Sequence, residues 1–265
     1  MDTETTKSVI KIQAAGLSDR GMKRGHNEDS LSVVPNLGLF IVADGMGGHN
    51  AGEVASRQAI ESMVEFLRDT QNGEVDKWPL PPNPELSLLE NRAVGGIKLA
   101  NRDVCKLSME HPEYHGMGTT LVSLLLDPPS AAASIAHVGD SRAYRLRDGR
   151  LHKLTSDHSW VEEQLQRGII TAEEARNHRW KNVITRALGN KLDVEVDVAT
   201  FDVKDNDVFL LCSDGLSGMV ELEHMEHLLV SEPDLEECAQ ALVQAANDAG
   251  GNDNISLILI RTLRE

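Results

Sequence analysis

The stretch 39–49 most constrains how this chain can fold. It begins as an uninterrupted apolar run, 39–43, and then changes abruptly to Asp44 followed by three glycines within four residues. A short apolar run that ends at glycine is typical of a buried strand. The pattern therefore predicts that Asp44 lies at the end of a core strand, where a rigid element would hold its carboxylate.

Other acidic residues stand in the same kind of place. Asp140 follows the apolar run 135–139, Asp214 follows the run 208–213, and Asp253 stands just before the run 255–260. One such acid could equally be an ordinary turn or helix cap. Several strand ends that meet at one edge of a sheet would instead gather carboxylates, and such a cluster repels itself unless cations fill it.

Carboxylates are hard oxygen ligands, which suit Mg²⁺ or Mn²⁺. Asp44, at the sharpest turn, is the best candidate to bridge two ions, and the carbonyl of Gly45 is a further possible ligand. Two ions bridged in this way can activate a water and hold a phosphoryl oxygen. His224 and His227 share one face of a predicted helix, where we interpret them as solvated surface.

A phosphoryl substrate also calls for a guanidinium, because its planar fork matches phosphate oxygens. Arg24 lies four residues before Glu28, in the only basic loop near the acids. Its alternative role is an exposed charge that pairs with some of the surplus acids.

Charge and cysteine content limit the possible partners and compartment. The formal net charge of -16 argues against nucleic acid, although bound cations would still allow phosphorylated substrates. The three cysteines are widely spaced, which favours a reducing compartment. The polar N-terminus and the strand-sized apolar runs predict a cytoplasmic protein without a membrane partner.

The order of predicted elements indicates the fold class. Helices are predicted at 53–68, 85–109, 222–230 and 235–249, between about ten strands that mostly follow one another as antiparallel neighbours. The predicted strands are 30–34, 37–43, 117–126, 131–138, 142–147, 150–154, 193–200, 207–212 and 255–260, with 8–18 as a possible first strand. This order favours an α+β fold in one domain, 1–265: a central antiparallel β-sandwich flanked by helices on both faces. The polar segment 157–188 is predicted as a helical surface insertion that could serve as a flap.

Seven short motifs occur in one order along the chain. They are Arg24-Gly-His-Asn-Glu-Asp29, Ala43-Asp-Gly-Met-Gly-Gly48, Met117-Gly-Thr-Thr120, Val138-Gly-Asp-Ser-Arg142, Thr185-Arg-Ala-Leu-Gly189, Ser213-Asp-Gly215 and Asp253-Asn254. Together they resemble the metal-dependent protein serine/threonine phosphatases of the PPM family, also called type 2C, in their compact bacterial form. The resemblance runs from about Gly16 to the last predicted strand.

The resemblance implies a ligand set for two Mn²⁺ or Mg²⁺ ions. Asp44 would bridge them, Asp214 and Asp253 would complete the first ion's ligands, and the Gly45 carbonyl would contact the second. Asp140 would belong, with Asp214, to a weaker third metal site.

The resemblance also assigns the remaining polar residues of the site. Glu28 and Asp29 would hold metal-bound waters, and Arg24 would bind the substrate phosphate. A metal-bound hydroxide would attack phosphoserine or phosphothreonine of phosphoproteins directly, without a phospho-enzyme. The resemblance further implies opposition to a bacterial serine/threonine kinase, with 157–188 as the flap. We also expect the protein to be a monomer.

One position departs from the animal enzymes of this family. Some members carry histidine just after the Asp-Gly pair, as the proposed donor of a proton to the leaving group, whereas this chain has Met46. Methionine has no proton to donate. His49, interpreted chiefly as a loop residue, and a metal-bound water remain as possible donors.

Two other functions are compatible with the same motifs. A catalytically silent phosphatase fold could act as a binding or sensor module, and an incomplete acid set would support it, but the set is complete. A different two-metal phosphoesterase, such as a nuclease, is disfavoured by the acidic charge balance.

Overall fold

The computed structural model describes residues 10–47, 51–71, 78 and 80–264. The strands of this part are β1 (Ile10–Asp19), β2 (Asp29–Val34), β3 (Leu39–Met46), β4 (Gly118–Thr119), β5 (Leu121–Asp127), β6 (Ala132–Val138), β7 (Arg142–Arg147), β8 (Arg150–Lys153), β9 (Asp197–Asp202), β10 (Val208–Cys212) and β11 (Ile255–Arg264). Its α-helices are α1 (Ala51–Asp69), α2 (Leu88–Glu110), α3 (Trp160–Gln166), α4 (Ala172–Asn177), α5 (Asp214–Ser217), α6 (Leu222–Ser231) and α7 (Leu235–Asp248).

The strands form two antiparallel sheets. The first sheet has the order β1-β11-β10-β7-β8, and the second has the order β2-β3-β5-β6-β9, with β4 paired to β3. The termini of the described chain meet here, since β1 pairs with β11 from Ile10↔Arg264 to Asp19↔Ile255. Residues 8 and 9 of the predicted first strand lie outside the described residues.

Apolar side chains fill three spaces between four layers. Phe40, Phe209 and Ile258 belong to the cluster between the two sheets. Met63 and Ile97 belong to a second cluster that packs α1 and α2 on the outer face of the second sheet. A third cluster packs the late helices on the first sheet. The predicted α+β class and the helix-flanked β-sandwich are therefore confirmed.

The prediction placed Asp44 at the end of its strand, but β3 continues for two more residues, to Met46. Gly45 and Met46 pair with β4, which the predicted strand 117–126 did not separate from β5. The chain breaks its pairing at Thr120, whose hydroxyl accepts a hydrogen bond from the Asp44 N–H at 3.1 Å while its own N–H donates to the Asp44 carbonyl at 2.8 Å. Both the N–H and the carbonyl of Asp44 are therefore hydrogen-bonded to Thr120.

Other elements also differ from the prediction. Strand β9 begins at Asp197 rather than at residue 193, because pairing with β6 starts only at His137↔Asp197. The valines before it still alternate in burial and pack against the α2 side of the core, which explains why the pattern looked like a strand. The one-turn helix α5 was not predicted.

The insertion 157–188 carries α3 and α4, and its buried residues lie at its two ends, which agrees with the predicted surface insertion. Helix α4 begins with a capping box, because the Thr171 hydroxyl accepts from the Glu174 N–H and the Glu174 side chain accepts from the Thr171 N–H. No helix in the part of the chain that the structure describes is long and apolar enough to cross a membrane.

Candidate metal centre

Strands β2 and β3 bring the first two acids together. Asp29 lies directly opposite Asp44 in the antiparallel register, so the two side chains project from the same face of the sheet. Asp29 is buried, and one of its oxygens accepts a hydrogen bond from the Ser213 hydroxyl at 2.8 Å. Two carboxyls opposite each other repel when both are ionised, so this register needs a compensating cation or proton.

The ends of β6 and β10 add two more acids. Asp140 follows Gly139, which has a φ of 108°. A Cβ at Gly139 would stand 2.6 Å from the Thr120 side chain, so glycine is required at this turn. Asp214 is the first residue of α5, just after the end of β10.

Burial and mutual repulsion disfavour the ionised acids. Burial, with Asp214 as a neighbour, raises the pKa of Asp140 to about 7, and burial likewise raises the pKa of Asp29 to about 7. Burial and four surrounding aspartates hold the pKa of Asp44 well above its ordinary value. The pKa of Asp214 is raised by burial and by Asp253. The predicted acids therefore form one electrostatically coupled cluster.

Several buried carboxylate oxygens of this cluster have no hydrogen-bond partner in the described part of the chain, and they indicate what kind of ligand the cluster could bind. Glu28 Oε1, Asp29 Oδ1, Asp140 Oδ1 and Asp214 Oδ1 are buried and have no hydrogen-bond partner in the described part of the chain. A buried acceptor without a partner is costly, and several on neighbouring carboxylates are what a divalent cation would satisfy. The residues present fit bound Mn²⁺ or Mg²⁺.

Gly45 is required by its surroundings. A Cβ there would lie 2.1 Å from the Gly52 carbonyl oxygen and 2.5 Å from that of Glu28. The backbone of Gly45 also donates to the Glu28 carbonyl at 3.2 Å. The start of α1, the end of β3 and the loop before β2 therefore meet at closest packing distance, which sets the backbone position of Asp44 and Gly45.

Arg24 joins the edge of the cluster. Its Nη2 lies 2.7 Å from Asp253 Oδ2, and its Nη1 lies 4.0 Å from Glu28 Oε2. The side chain is 47% exposed, so its guanidinium is accessible from solvent. The two proposed roles of Arg24, pairing with acids and reaching a phosphate, are thus compatible with one position.

Asn254 holds this basic loop in place, a role that was not predicted from the sequence. The buried Asn254 side chain accepts from the Glu28 N–H at 2.8 Å and donates to the Arg20 and His26 carbonyls at 2.9 Å. The one indication in the sequence that Asn254 contributes to the site is that it follows Asp253 in a motif. The hydroxyls of Thr120, Ser141 and Ser213 were likewise visible in motifs, but their partners were not.

The histidines considered in the sequence analysis stay outside the cluster. His224 and His227 are exposed on α6, which confirms their interpretation as surface. His49 lies outside the described residues. Met46, the residue that replaces histidine after Asp-Gly, is half-buried beside Gly118.

The comparisons with known proteins agree with this geometry. The sequence profile described as "Protein phosphatase 2C" matches residues 22–259. This chain belongs to the protein phosphatase 2C family. The serine/threonine phosphatase stp of Listeria monocytogenes serotype 4b is 39% identical over 250 residues, with 92% of this chain and 93% of that protein covered. Protein phosphatase PhpP of Streptococcus pneumoniae serotype 2 is 36% identical, with 92% and 95% covered.

Solved structures of phosphatases have the same fold. The crystal structure of the Mycobacterium tuberculosis serine/threonine phosphatase PstP/Ppp superposes with a TM-score of 0.83 at 33% identity, covering 96% of this chain and 99% of that one. The catalytic domain of PstP in complex with two manganese ions superposes with a TM-score of 0.81, also at 33% identity and with the same shares covered.

A second group of ligand-type side chains in this phosphatase is an ion-pair network. His137, His158 and Asp197 place one ligand atom each within 4.8 Å of one another. The Arg186 guanidinium lies 2.9 Å from His158 Nε2 and 2.6 Å from Asp197 Oδ1, so a cation already occupies the space between them. The Gly139 N–H donates to His158 Nδ1 at 3.0 Å, which joins this network to the Asp140 turn.

The metal-free phosphatase is expected to lose stability as the pH rises towards neutrality. Asp29 and Asp140 have pKa values of about 7 when folded, against 3.8 ordinarily, so the folded state binds protons more tightly than the unfolded state. Their contribution is complete below the ordinary pKa and is lost as the pH rises through the folded pKa. In chelator, the melting temperature should be higher at about pH 5.5 than at about pH 7.5.

Bound Mn²⁺ should weaken or reverse that dependence, because the ions compete with protons for the same oxygens. Melting curves with and without Mn²⁺ at the two pH values make the comparison. A melting temperature in chelator that increases steadily towards neutral pH would contradict the raised pKa values.

Proposed function

We propose that the acid cluster of this serine/threonine protein phosphatase holds two Mn²⁺ or Mg²⁺ ions and that Arg24 binds the substrate phosphate beside them. The phosphatase depends on these metals, and its substrates are phosphorylated proteins. The observation that carries the site proposal is the group of unpaired, buried carboxylate oxygens on Glu28, Asp29, Asp140 and Asp214.

Each acid has a proposed place in the ligand set. Asp44 would bridge the two ions, because Asp29 lies directly opposite it in the sheet and Asp140, Asp214 and Asp253 lie near enough to raise its pKa. Asp214 and Asp253 would complete the first ion's ligands, and the Gly45 carbonyl would contact the second. Glu28 and Asp29 would act through waters, which agrees with their oxygens being buried but unpaired.

When bound, the ions would neutralise the charge of the cluster, polarise the phosphoryl group and lower the pKa of a bound water. The chain supplies the orientation. Arg24 reaches the cluster from the exposed side, where its fork could grip two phosphate oxygens while the acids lie behind them. Asn254 holds the loop that carries Arg24 against the start of β11, so the backbone of this loop stays beside the acids.

Transfer of the phosphoryl group directly to water is favoured over a cysteine intermediate. Cys105, Cys212 and Cys238 are all free and buried. Burial raises the pKa of Cys212 to about 12 and that of Cys238 to about 11, and it also raises the pKa of Cys105. Because the thiolate is the nucleophile, none of these thiols is suited to attack phosphate.

Asp140→Ala is expected to lose most turnover while the fold and two tightly bound ions remain. Asp140 is the acid assigned to the weaker third site, and removing a buried carboxyl whose pKa is raised relieves repulsion within the cluster. Calorimetric Mn²⁺ titration, melting curves and kcat on one preparation test this. Full turnover would instead assign Asp140 to the turn, where it would stabilise by about 1 kcal/mol as a capping residue.

Cellular context is a further part of the proposal. The phosphatase would act as a monomer in the cytoplasm and oppose a serine/threonine kinase. The three free cysteines suit a reducing compartment. The kinase partner follows from the substrate chemistry, because a protein that removes phosphate from serine and threonine needs an enzyme that adds it. Sedimentation analysis tests the monomer, and dephosphorylation of a co-expressed kinase tests the partner.

The activity is tested by comparing three substrates with Mn²⁺ and with chelator. We expect hydrolysis of a phosphothreonine peptide that needs Mn²⁺, and no cleavage of an oligonucleotide. Binding of the phosphopeptide without hydrolysis would identify a silent binding module, and cleavage of the oligonucleotide would identify a nuclease. A phosphotyrosine peptide serves as the specificity control.

A further inference from the structure

Arg142 occupies a central position between two of the proposed ligands. It is the first residue of β7 and follows Asp140 by two residues. Across the sheet it lies opposite Cys212 of β10, which precedes Asp214 by two residues. One side chain therefore stands beside the strand ends that carry both acids.

The hydrogen bonds of Arg142 reach the Asp157 carboxylate, the Tyr144 hydroxyl and the Ser217 carbonyl. Its Nε lies 3.1 Å from both oxygens of Asp157, and its Nη2 lies 2.7 Å from Asp157 Oδ2. Its Nη1 donates to the Tyr144 hydroxyl at 3.3 Å and to the Ser217 carbonyl at 3.4 Å. Ser217 ends the one-turn helix α5, which Asp214 begins.

Asp157, which Arg142 bonds, belongs to a segment that is hydrogen-bonded to the turn before Asp140. His158, the neighbour of Asp157, donates its N–H to the Gly139 carbonyl at 2.9 Å and accepts the Gly139 N–H on its ring at 3.0 Å. Asp157 and His158 thus hold the residues on both sides of Asp140. They are also the first residues of the insertion 157–188.

We propose that Arg142 is a positioning residue that keeps the Asp140 turn and the Asp214 helix at the separation required for metal binding, acting through Asp157 and Ser217. The inference rests on the proposed metal site. A planar fork can bond Asp157 through two nitrogens and still reach Ser217, whereas a lysine ammonium is a point charge on a flexible stem. Lysine at this position therefore keeps the charge and loses the geometry.

Arg147 offers a matched control on the same strand. It ends β7, and its Nε and Nη2 bond both oxygens of the buried Asp207 at 2.7 and 2.6 Å. The two arginines are comparably buried, with side-chain exposures of 27% for Arg142 and 14% for Arg147. The partners of Arg147 lie at the opposite end of β7 from Asp140. A structural role alone predicts the same phenotype for both substitutions.

The test compares Arg142→Lys with Arg147→Lys in the full chain. Mn²⁺ binding is measured by calorimetry, and kcat and KM are measured with p-nitrophenyl phosphate. We expect Arg142→Lys to weaken Mn²⁺ binding by about tenfold or more and to lower kcat, while KM changes by less than about twofold. Both variants should melt at lower temperature, but Arg147→Lys should keep Mn²⁺ affinity within about twofold of wild type.

The proposal is overturned if Arg142→Lys matches Arg147→Lys in Mn²⁺ affinity and kcat. Should Arg142→Lys fail to fold, Asp157→Asn tests the same link, because it weakens the pair and leaves the arginine its other partners. A folded Asp157→Asn variant with wild-type kcat and wild-type Mn²⁺ binding, at the two tight sites and at the weaker third site, would then overturn it. Wild-type protein that binds no Mn²⁺ would remove the metal site itself, whereas normal wild-type binding with an unaffected Arg142→Lys removes only the positioning role.

Discussion

Asp44→Asn is expected to lower turnover by about 10³-fold or more and, in the absence of metal, to make the protein more stable. Asp44 is the acid whose pKa responds to Asp29, Asp140, Asp214 and Asp253 together. Asparagine keeps the size of the side chain but removes its charge and its ability to bridge two cations. It also removes the repulsion that the folded state must otherwise relieve by protonation.

The measurement combines kcat in saturating Mn²⁺ with the melting temperature in chelator at about pH 7.5. Glu61→Gln serves as the control, because it removes one carboxylate from the exposed surface of α1. We expect Glu61→Gln to change neither quantity appreciably. An Asp44→Asn variant that retains turnover within about tenfold of wild type would remove Asp44 from the metal site.

Arg24→Ala is expected to raise KM for phosphopeptides and to lower kcat/KM by about 10- to 100-fold with little loss of stability. Arg24 stands at the exposed edge of the cluster, with Nη2 2.7 Å from Asp253 Oδ2. An exposed ion pair contributes only about 0–1 kcal/mol, so the folded state tolerates its loss. Arg24→Lys should restore little activity, because lysine cannot present two parallel donors to phosphate.

Arg150→Ala is the matched control for Arg24. Arg150 is also an exposed arginine in an ion pair, with Nη1 3.2 Å from Glu226 Oε1 and a side chain that is 74% exposed. It lies at the start of β8, outside the acid cluster. A wild-type KM in Arg24→Ala, or an equal rise in KM in Arg150→Ala, would show that Arg24 does not bind the substrate phosphate.

The fold and the acid cluster could be predicted because their determinants are local. Apolar runs that end in Asp and Gly mark strand ends, and the turn at 35–36 places β2 beside β3, so Asp29 and Asp44 come together through neighbouring elements. The boundaries that were wrong depend on distant partners instead. Strand β3 extends past Asp44 because β4 pairs with it, more than seventy residues later in the chain.

The supporting contacts of the site could not be predicted for the same reason. Ser213 bonds Asp29 across 184 residues, and Asn254 bonds Glu28 across 226. No periodicity or spacing encodes which hydroxyl or amide meets which carboxylate. Arg142 appeared in a motif beside Asp140, yet its bond to Asp157 depends on how the insertion 157–188 folds back on the Gly139 turn.

Titration of Mn²⁺ into chelator-treated protein, with heat and phosphothreonine-peptide hydrolysis followed on the same preparation, tests the acid cluster most directly. The account predicts two tightly bound ions, no turnover before they bind, and a rise in turnover that follows their binding. Asp44→Asn should lose both signals together. Full turnover in chelator, or turnover that rises with Mn²⁺ while Asp44→Asn binds and hydrolyses as wild type does, would contradict it.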